Sequence, residues 1–478
     1  LDDGEPAVPG VFVELLLDDE VMANGTTDEN GTICFTGLVL GDYLVRETVP
    51  EGWYATSSTE VRVTVDRSGE CEQATFLNTR YGTICVYKYE DLNGDGEWQE
   101  NEPAVGGVTI TLMSGDEIAG SGATDENGTI CFHDLFLGDY VVMEDVPLGW
   151  YNTTEASVGV TLDASGERGT ATFLNTRYGT ICVYKYEDLN GDGEWQENEP
   201  AVANVTITLT QGDAMIGCGV TDENGTICFT GLVLGDYVVS ETVPEGWYAT
   251  SLVSVELAIE VSGQGVTATF LNVKLGTICV LKYEDENGNG IRDEGEDTLV
   301  DGVTIVLRDA TGAIVGTGVT GDDGPGMVCF TGLRIGTYHA EESDWPEGWY
   351  PSGQTTKEVR LESSGGRNCT FFLNIMFGKI CVYKYEDLNG NGVLDDGEPP
   401  VANVTITFTQ GDAIVGCGVT DENGTICFTG LVLGEYTVIE TVPEGWYATT
   451  PASVGVEIDS SGERGTVTFL NTRYGTIC

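Results

Sequence analysis

The chain alternates apolar and polar residues in short runs, and no segment shows the 3.6-residue apolar period of an amphipathic helix. β-Branched and aromatic residues dominate runs such as ICVYKYE, VTITL, GTICF, DYVVMED and GTATFLN, and turns such as TDENGT separate them. Period-two alternation bounded by Gly, Asn and Asp predicts strands. About seven short strands in each stretch of 97 residues predict an all-β fold built from Ig-like or prealbumin-like β-sandwiches.

Internal repetition divides the chain into similar units. Residues 81–105 and 178–202 are identical, and variants of this segment begin at Leu275 and Phe377. A unit of about 100 residues can hold its own core, so the sequence predicts five tandem domains joined without linkers. We number them repeats one to five: 1–80, which lacks its first strand and most of the acidic loop that follows this strand, then 81–177, 178–274, 275–376 and 377–473. Residues 474–478 predict the first strand of a next repeat, and a start without Met predicts a processed product or a window from a longer chain.

Each complete repeat carries an acidic loop, D-x-N-x-[DN]-G-x5-E, directly after its first strand. The spacing is that of the twelve-residue EF-hand loop, in which oxygens at positions 1, 3, 5, 7 and 12 surround Ca²⁺. The strand-like flanks predict an EF-like loop on a sandwich, not a helix pair. The predicted Ca²⁺ ligands are Asp91, Asn93, Asp95, Glu97 and Glu102; Asp188, Asn190, Asp192, Glu194 and Glu199; Asp285, Asn287, Asn289, Ile291, Asp293 and Glu296; and Asp387, Asn389, Asn391, Val393, Asp395 and Glu398.

The alternative interpretation of these loops is a solvated acidic turn without an ion. Two facts favour calcium: the ligand spacing recurs four times, and clustered carboxylates without a cation repel one another. We expect the loops to stiffen the boundary between repeats rather than to act in signalling.

Two cysteine positions recur in constant phase, one after YGTI and one in the central strand. The simplest pairing joins them within each repeat, although spacing alone does not establish it. The predicted disulfides are Cys85–Cys131, Cys182–Cys228, Cys279–Cys329 and Cys381–Cys427. A loop of this length closed by a disulfide contributes roughly 3–4 kcal/mol to stability.

Six cysteines remain outside this pairing. Cys34 and Cys478 occupy the two recurring phases, which motivates the prediction of an intersubunit Cys478–Cys34 bond in a head-to-tail polymer. For Cys71, Cys218, Cys369 and Cys417 two interpretations stay open: links between laterally packed chains, or free buried thiols.

The charge balance restricts the partners. With 20 basic and 78 acidic residues the formal net charge is −58, which argues against nucleic acid and anionic membranes as partners. No stretch of 18 apolar residues is present, so no membrane span is predicted. Fourteen cysteines in a glycine-rich β protein favour disulfides and an extracellular setting. Neither a Ser/His/Asp set nor a nucleotide-binding motif is present, and we predict that the chain is not an enzyme.

Nine N-x-[ST] sequons are candidate glycosylation sites. Several lie in turns where Asn-Gly is already required by the hairpin, so the turn alone also explains them. The candidate residues are Asn24, Asn30, Asn127, Asn152, Asn204, Asn224, Asn368, Asn403 and Asn423.

A repeated GWY segment supplies one tryptophan per repeat. We expect these rings to pack at a core edge or at a boundary between repeats, and the alternative is a carbohydrate platform. The residues are Trp53, Trp150, Trp247, Trp349 and Trp446.

The order of motifs YEDLNGDG, NEPAV, GVTIT, TDENGTICFTGL and LGDY followed by VPEGWY resembles the SdrD B-like and Cna-B-like repeats of microbial surface proteins. The resemblance covers every repeat, and it implies a prealbumin-like sandwich, a stalk or scaffold role and, for the SdrD type, calcium. Repeat four departs at GDDGPGMVCF and SDWP, which predicts different local turns there.

The Cna-B resemblance further implies isopeptide bonds between a first-strand lysine and a last-strand asparagine, promoted by a buried acid. A buried Lys–Glu pair with a hydrogen-bonded Asn is the alternative. The matching sets are Lys88, Asn175 and Glu144; Lys185, Asn272 and Glu241; Lys282, Asn374 and Glu342; and Lys384, Asn471 and Glu440.

Together these features predict an extracellular structural protein of calcium-binding, disulfide-stabilised repeats. We expect it to associate with copies of itself into a surface filament, sheath or layer. The alternative function is the stalk or binding module of a microbial cell-surface adhesin.

Overall fold

The computed structural model describes residues 4–477, and the regular elements in this range are all β-strands. The predicted all-β tandem array is thus confirmed. Within the same range, no helix could cross a membrane. Cys478, and with it the predicted intersubunit bond to Cys34, lies outside the described residues.

The strands are numbered in chain order. In repeat one, β1–β6 are Phe12–Leu17, Glu20–Thr26, Gly41–Thr48, Trp53–Ala55, Glu60–Val65 and Asn78–Arg80. In repeat two, β7–β14 are Gly82–Glu90, Thr109–Ser114, Glu117–Ala123, Thr129–Leu135, Gly138–Glu144, Trp150–Asn152, Ser157–Leu162 and Arg168–Arg177. In repeat three, β15–β22 are Gly179–Glu187, Thr206–Gln211, Ala214–Val220, Thr226–Leu232, Gly235–Glu241, Trp247–Ala249, Ser254–Ile259 and Gly265–Lys274. In repeat four, β23–β30 are Gly276–Glu284, Thr304–Asp309, Ile314–Val319, Met327–Leu333, Gly336–Asp344, Trp349–Pro351, Thr356–Leu361 and Arg367–Met376. In repeat five, β31–β38 are Gly378–Glu386, Thr405–Gln410, Ala413–Val419, Thr425–Leu431, Gly434–Glu440, Trp446–Ala448, Ser453–Ile458 and Arg464–Arg473.

Each complete repeat is a sandwich of two four-stranded sheets. In repeat two the sheet orders are β10-β7-β14-β12 and β13-β11-β8-β9, and repeats three to five use the equivalent strands. The first and last strands, β7 and β14, run parallel, with Thr83 opposite Arg168 and Glu90 opposite Asn175. Because these two strands are parallel neighbours, the chain enters a repeat at one end of the sandwich and leaves at the other.

Alternation along the strands fills the space between the sheets. In repeat two, Ile84, Val86, Ile110, Val142 and Phe173 are fully buried and pack into one cluster. Inward-facing β-branched and aromatic residues of two sheets form the core expected of a sandwich. The inward positions of β7 continue with a lysine, which is the exception to this apolar pattern and belongs to the site described below.

The complete repeats contain eight strands instead of the predicted seven or so. The additional element is a three-residue strand, β12 in repeat two, which pairs with the end of β14. A turn precedes it, in which the Trp150 amide donates to the Pro147 carbonyl and Gly149 has a φ of 88°. Three residues are too few to show alternation, so the sequence pattern does not reveal this strand.

Repeats one and four differ from the common pattern. In the described part of repeat one, β2-β1-β3-β5 form one sheet and β4 and β6 form a two-stranded second sheet. In repeat four a bridge between Gly321 and Gly324 forms the altered turn, and β27 extends to Asp344. Both sheets of repeat four keep the common strand order, so its sequence departures change turns and not the sandwich.

Candidate functional site: acidic loops, buried amines and boundaries

The acidic loop of repeat two folds around two buried carboxylates. Asp91 is fully buried and its two carboxylate oxygens accept the amides of Gly94 (2.6 Å) and Gly96 (2.9 Å). Glu102 is 5% exposed and accepts the amides of Leu92 (2.9 Å) and Gln99 (3.1 Å). Gly96 has a φ of 74°, so the sharp bend at position 6 uses the left-handed conformation that glycine tolerates.

The other three loops repeat this arrangement. The first Asp of each accepts the glycine amides at positions 4 and 6, and the last Glu accepts the amides at positions 2 and 9. In repeats four and five, Asp293 and Asp395 at position 9 accept both asparagine side chains of the loop. The first Asp and the last Glu of every loop are therefore held at the same positions by the loop backbone.

The donor set fits a hard cation. Buried carboxylates, further Asp and Asn oxygens and backbone carbonyls are the oxygen ligands that Ca²⁺ takes. Within residues 4–477, no three His, Cys, Asp or Glu side chains are arranged as a metal site; in each loop the buried carboxylates accept backbone amides instead. The loop is thus held in shape by hydrogen bonds from its own backbone amides to these carboxylates.

A lysine, a glutamate and an asparagine meet inside each complete sandwich. In repeat two, Lys88 on β7 and Asn175 on β14 are fully buried, and Glu144 on β11 lies across the sandwich from them. Lys88 Nζ is 3.6 Å from Glu144 Oε2, and Asn175 Nδ2 donates to the same oxygen at 3.3 Å. The buried Asn175 Oδ1 has no hydrogen-bond partner. The structure therefore brings together the three residues that the resemblance selects.

The corresponding groups meet in repeats three to five. The Lys–Glu distances are 3.4 Å for Lys185–Glu241, 2.9 Å for Lys282–Glu342 and 3.5 Å for Lys384–Glu440. Asn272 and Asn471 donate to the glutamate of their repeat, whereas neither amide atom of Asn374 has a partner.

Burial shifts the pKa of the four lysines, and of the glutamates in repeats two, three and five, toward the neutral form. Desolvation lowers the pKa of Lys88, Lys185, Lys282 and Lys384 to about 8, against the opposing attraction of the nearby glutamate. Desolvation also raises the pKa of Glu144, Glu241 and Glu440. Both shifts favour the neutral amine, which is the nucleophilic form, and the protonated carboxyl, which is an acid.

Four disulfides lie on the outer face of the sheet that contains the first and last strands of each complete repeat. They join Cys85 to Cys131, Cys182 to Cys228, Cys279 to Cys329 and Cys381 to Cys427, in each case directly opposite on adjacent antiparallel strands. In repeat two the Arg168 guanidinium lies 3.2 Å from Cys85 Sγ. These are the pairs that the repeat phase indicates.

Five further cysteines are free in the described residues. Cys34, Cys71, Cys218, Cys369 and Cys417 are all exposed. The interpretation of the last four as buried thiols is therefore wrong: Cys71 lies between β5 and β6, and the other three lie at strand positions that face solvent. Cys218 and Cys417 lie on edge strands β17 and β33.

The nine sequon asparagines are all exposed. Two of them already use the side-chain amide in the fold: Asn152 donates to the Thr154 carbonyl and Asn368 to the Arg360 carbonyl. Asn127, Asn224 and Asn423 lie in the tight ENGT turns.

Direct contacts, not a linker, form the boundary between repeats two and three. The Ser262 hydroxyl donates to Glu90 Oε1 (2.6 Å) and its amide donates to the Leu92 carbonyl (2.9 Å), at the start of the acidic loop. Arg177 donates its amide to Ser262 Oγ (2.9 Å) and its guanidinium to Glu90 Oε2 (3.1 Å). The acidic loop is therefore part of the contact with the following repeat.

The same contacts recur at the next two boundaries. Ser364 contacts Glu187 and Leu189, and Ser461 contacts Glu284 and Glu286, with matching atoms and distances of 2.5–2.9 Å. A second contact lies beside each: the hydroxyls of Tyr151, Tyr248 and Tyr350 accept the amides of Leu234, Ile335 and Leu433 (3.1–3.2 Å).

The GWY segments thus lie at the boundaries. Their tyrosines bind the next repeat, and their tryptophans lie under the basic residue of the boundary, with Arg177 4.6 Å from the Trp150 ring and Lys274 4.9 Å from the Trp247 ring. The boundary serines were missed in the sequence analysis. Their signal is an S-G pair at constant phase just before each last strand, which recurs in every repeat.

Comparison with known proteins agrees with this architecture. Tandem sandwiches that each carry a disulfide are typical of extracellular repeat proteins, because disulfides persist in oxidising compartments. A family model described as the SdrD B-like domain matches residues 1–79, 82–178, 179–277, 273–372 and 378–475, and the chain belongs to this family. The predicted cell-surface or extracellular location is confirmed with it.

Two curated relatives are serine-aspartate repeat-containing proteins. The chain is 27% identical to protein D of Staphylococcus aureus (strain NCTC 8325 / PS 47) over 94% of its own length and 37% of that protein. It is 30% identical to protein F of Staphylococcus epidermidis (strain ATCC 12228 / FDA PCI 1200) over 80% of its length and 26% of that protein. The chain thus spans only a minor part of the relatives it matches.

Among solved structures, two B repeat units of the collagen binding protein of Staphylococcus aureus match at 18% identity, with a TM-score of 0.16. The match covers 83% of this chain and all of that one. Because this TM-score is low, membership of the SdrD B-like family is established by the family model and not by this structure.

Proposed function

We propose that the chain is a structural segment of an extracellular surface protein, a stalk whose successive repeats are held in a fixed orientation. The observation that carries this proposal is the recurrence of one set of contacts at three successive boundaries. A flexible tether needs no such contacts, whereas a stalk needs the same contact at each step. The role is structural and not catalytic.

The boundary contacts supply the test of this proposal. Ser262→Ala removes the hydrogen bonds to Glu90 and Arg177, each worth about 1 kcal/mol or somewhat more where the partner is charged. We expect the distance distribution between spin labels in repeats two and three to broaden. A Ser254→Ala variant, whose hydroxyl bonds to Ser240 inside repeat three, should leave that distribution unchanged. A distance distribution in the wild type as broad as that of Ser262→Ala would contradict a fixed boundary.

We further propose that the four acidic loops bind Ca²⁺ and that this stabilises the boundaries. Asp188, Asp192 and Glu199 would hold the ion in repeat three, and Ca²⁺ would there neutralise carboxylates that otherwise repel one another. The support is the buried pair of carboxylates in each loop and the direct bonding of the loop's first residues to the next repeat.

Calcium titration of the full chain tests the loops directly. We expect about four ions per chain and a higher melting temperature with Ca²⁺, because an ion bound only by the folded state stabilises it. Glu199→Gln should lower the stoichiometry by one. Glu223→Gln, in an exposed turn of the same repeat, is the matched control and should leave it unchanged. If the chain binds no Ca²⁺, the calcium proposal is contradicted and the loops are solvated acidic turns.

A third element of the proposal is covalent. In each complete repeat the lysine Nζ attacks the asparagine Cγ, a C–N bond forms, the bond to Nδ2 breaks and ammonia leaves. The protonated glutamate gives its proton to the departing nitrogen and takes up the proton that the attacking amine releases, so it ends in the form in which it began. The support is the burial of all three groups, the neutral form favoured for both partners and the unpaired amide oxygens. The reaction occurs once per repeat.

Self-association and glycosylation complete the proposal. Cys34 is exposed and free while the cysteines in its phase form disulfides, so we propose Cys478 of another copy as its partner. Reductant-sensitive oligomers that persist in Cys71→Ser but vanish in Cys34→Ser are the expected result.

Glycans on the exposed sequon asparagines would appear as a mass loss after glycosidase treatment.

A further inference from the structure

Repeat four holds three cysteines side by side on one face of a sheet. β26, β23 and β30 are adjacent, and Cys329, Cys279 and Cys369 are opposite one another in register. Residues opposite each other on neighbouring strands share a face, so the free Cys369 lies beside the Cys279–Cys329 disulfide. Threonines occupy the position of Cys369 in the other complete repeats, namely Thr170, Thr267 and Thr466.

The spacing allows Cys279 to bond to either neighbour. Neighbouring strands lie about 4.8 Å apart, and disulfides join residues whose Cα atoms are about 4.4–6.8 Å apart. The three cysteines also lie in a row across the strands, so Cys369 approaches the existing bond from the side of Cys279 that faces away from Cys329. That direction is the one in which a thiolate displaces a disulfide sulfur.

A positive charge lies at the sulfurs that change partners. The Arg367 guanidinium is 3.3 Å from Cys279 Sγ and 4.0 Å from Cys329 Sγ. A cation beside a sulfur stabilises its thiolate and makes it a better leaving group. Cys369 itself is exposed, so solvent can take up its proton.

We propose that repeat four carries a thiol–disulfide exchange site. The Cys369 thiolate attacks Cys279 Sγ, a Cys279–Cys369 bond forms, the Cys279–Cys329 bond breaks, and Cys329 leaves as a thiolate that takes up one proton. Cys369 loses one proton to solvent, and no oxidant or reductant is consumed. The free thiol thereby moves from β30 to β26, roughly 10 Å across the sheet. This inference does not depend on calcium or on the isopeptide bonds.

Trapping the free thiol tests the exchange. The background variant has Cys34, Cys71, Cys218 and Cys417 replaced by serine, so that the other exposed thiols of the described residues cannot take part. After incubation at mildly alkaline pH, free thiols are alkylated and located by peptide mass spectrometry. We expect the label on both Cys369 and Cys329. Because both disulfides join two cysteines on neighbouring strands, their stabilities should be similar, and the fraction of the label at Cys329 should be roughly between a tenth and nine tenths. The ratio should not depend on protein concentration.

Two variants make the result decisive. With oxidised glutathione added as the two-electron oxidant, Cys329→Ser should yield a Cys279–Cys369 disulfide. Thr170→Cys should create the same exchange in repeat two, where Arg168 already lies beside Cys85. Cys369→Thr, which copies the other repeats, should leave no free thiol in repeat four. Label confined to Cys369 at all times in the wild-type repeat, or free Cys279 and Cys369 in folded Cys329→Ser, would overturn the proposal.

Discussion

Glu241→Ala is expected to cost repeat three about 3–5 kcal/mol, because it leaves the buried Lys185 amine without its partner. The same change blocks the proposed isopeptide bond, so the intact mass of the reduced, unfolded variant should show one ammonia of ~17 Da more than the wild type after the side-chain difference is subtracted. Susceptibility of repeat three to protease measures the loss of stability. Glu256→Ala, on an exposed position of β21, should change stability by less than about 0.5 kcal/mol.

The pH dependence separates a linked from an unlinked amine. A free Lys185 has a folded pKa of about 8 against an ordinary value of 10.5. Between these values the unfolded chain holds the proton and the folded chain has lost it, so stability rises with pH through that window. An amide bond to Asn272 removes this titration. If the wild type lacks the mass deficit of one ammonia and its stability does not change with pH, the result contradicts both the isopeptide bond and the buried free amine.

Replacing both Cys182 and Cys228 by serine is expected to lower the stability of repeat three by roughly 3–4 kcal/mol, since the bond closes a loop in the unfolded chain. Hydrogen exchange of the repeat three amides in the full chain measures this change. Cys218→Ser, an exposed free thiol of the same repeat, is the control and should leave protection unchanged. Equal loss of protection in both variants would mean that the serine, not the missing bond, is responsible.

Features that repeat in constant phase could be predicted from the sequence. Cys182 and Cys228 recur in every complete repeat, the period-two alternation marks their strands, and the loop at Asp188 has ligand spacing that a local pattern reveals. The Lys185, Glu241 and Asn272 set followed from the family resemblance, because nothing local links residues on three strands.

Features that depend on register or on a neighbouring repeat could not be predicted. Cys369 meets Cys279 only because β23 and β30 pair in parallel at that register, and no short-range signal fixes it. Ser262 and Glu90 are 172 residues apart in sequence and belong to different repeats. Their contact depends on how one sandwich meets the next, which strand patterns do not encode.

The parallel pairing of the first and last strand has a consequence under tension. Pulling on the two ends of repeat two draws β7 and β14 in opposite directions along their common length, so the hydrogen bonds between Thr83–Glu90 and Arg168–Asn175 are loaded together in shear. An antiparallel pair would be unzipped one bond at a time, whereas this arrangement shares the force. Each complete repeat is therefore built so that its pair of parallel strands resists a pulling load applied at its two ends.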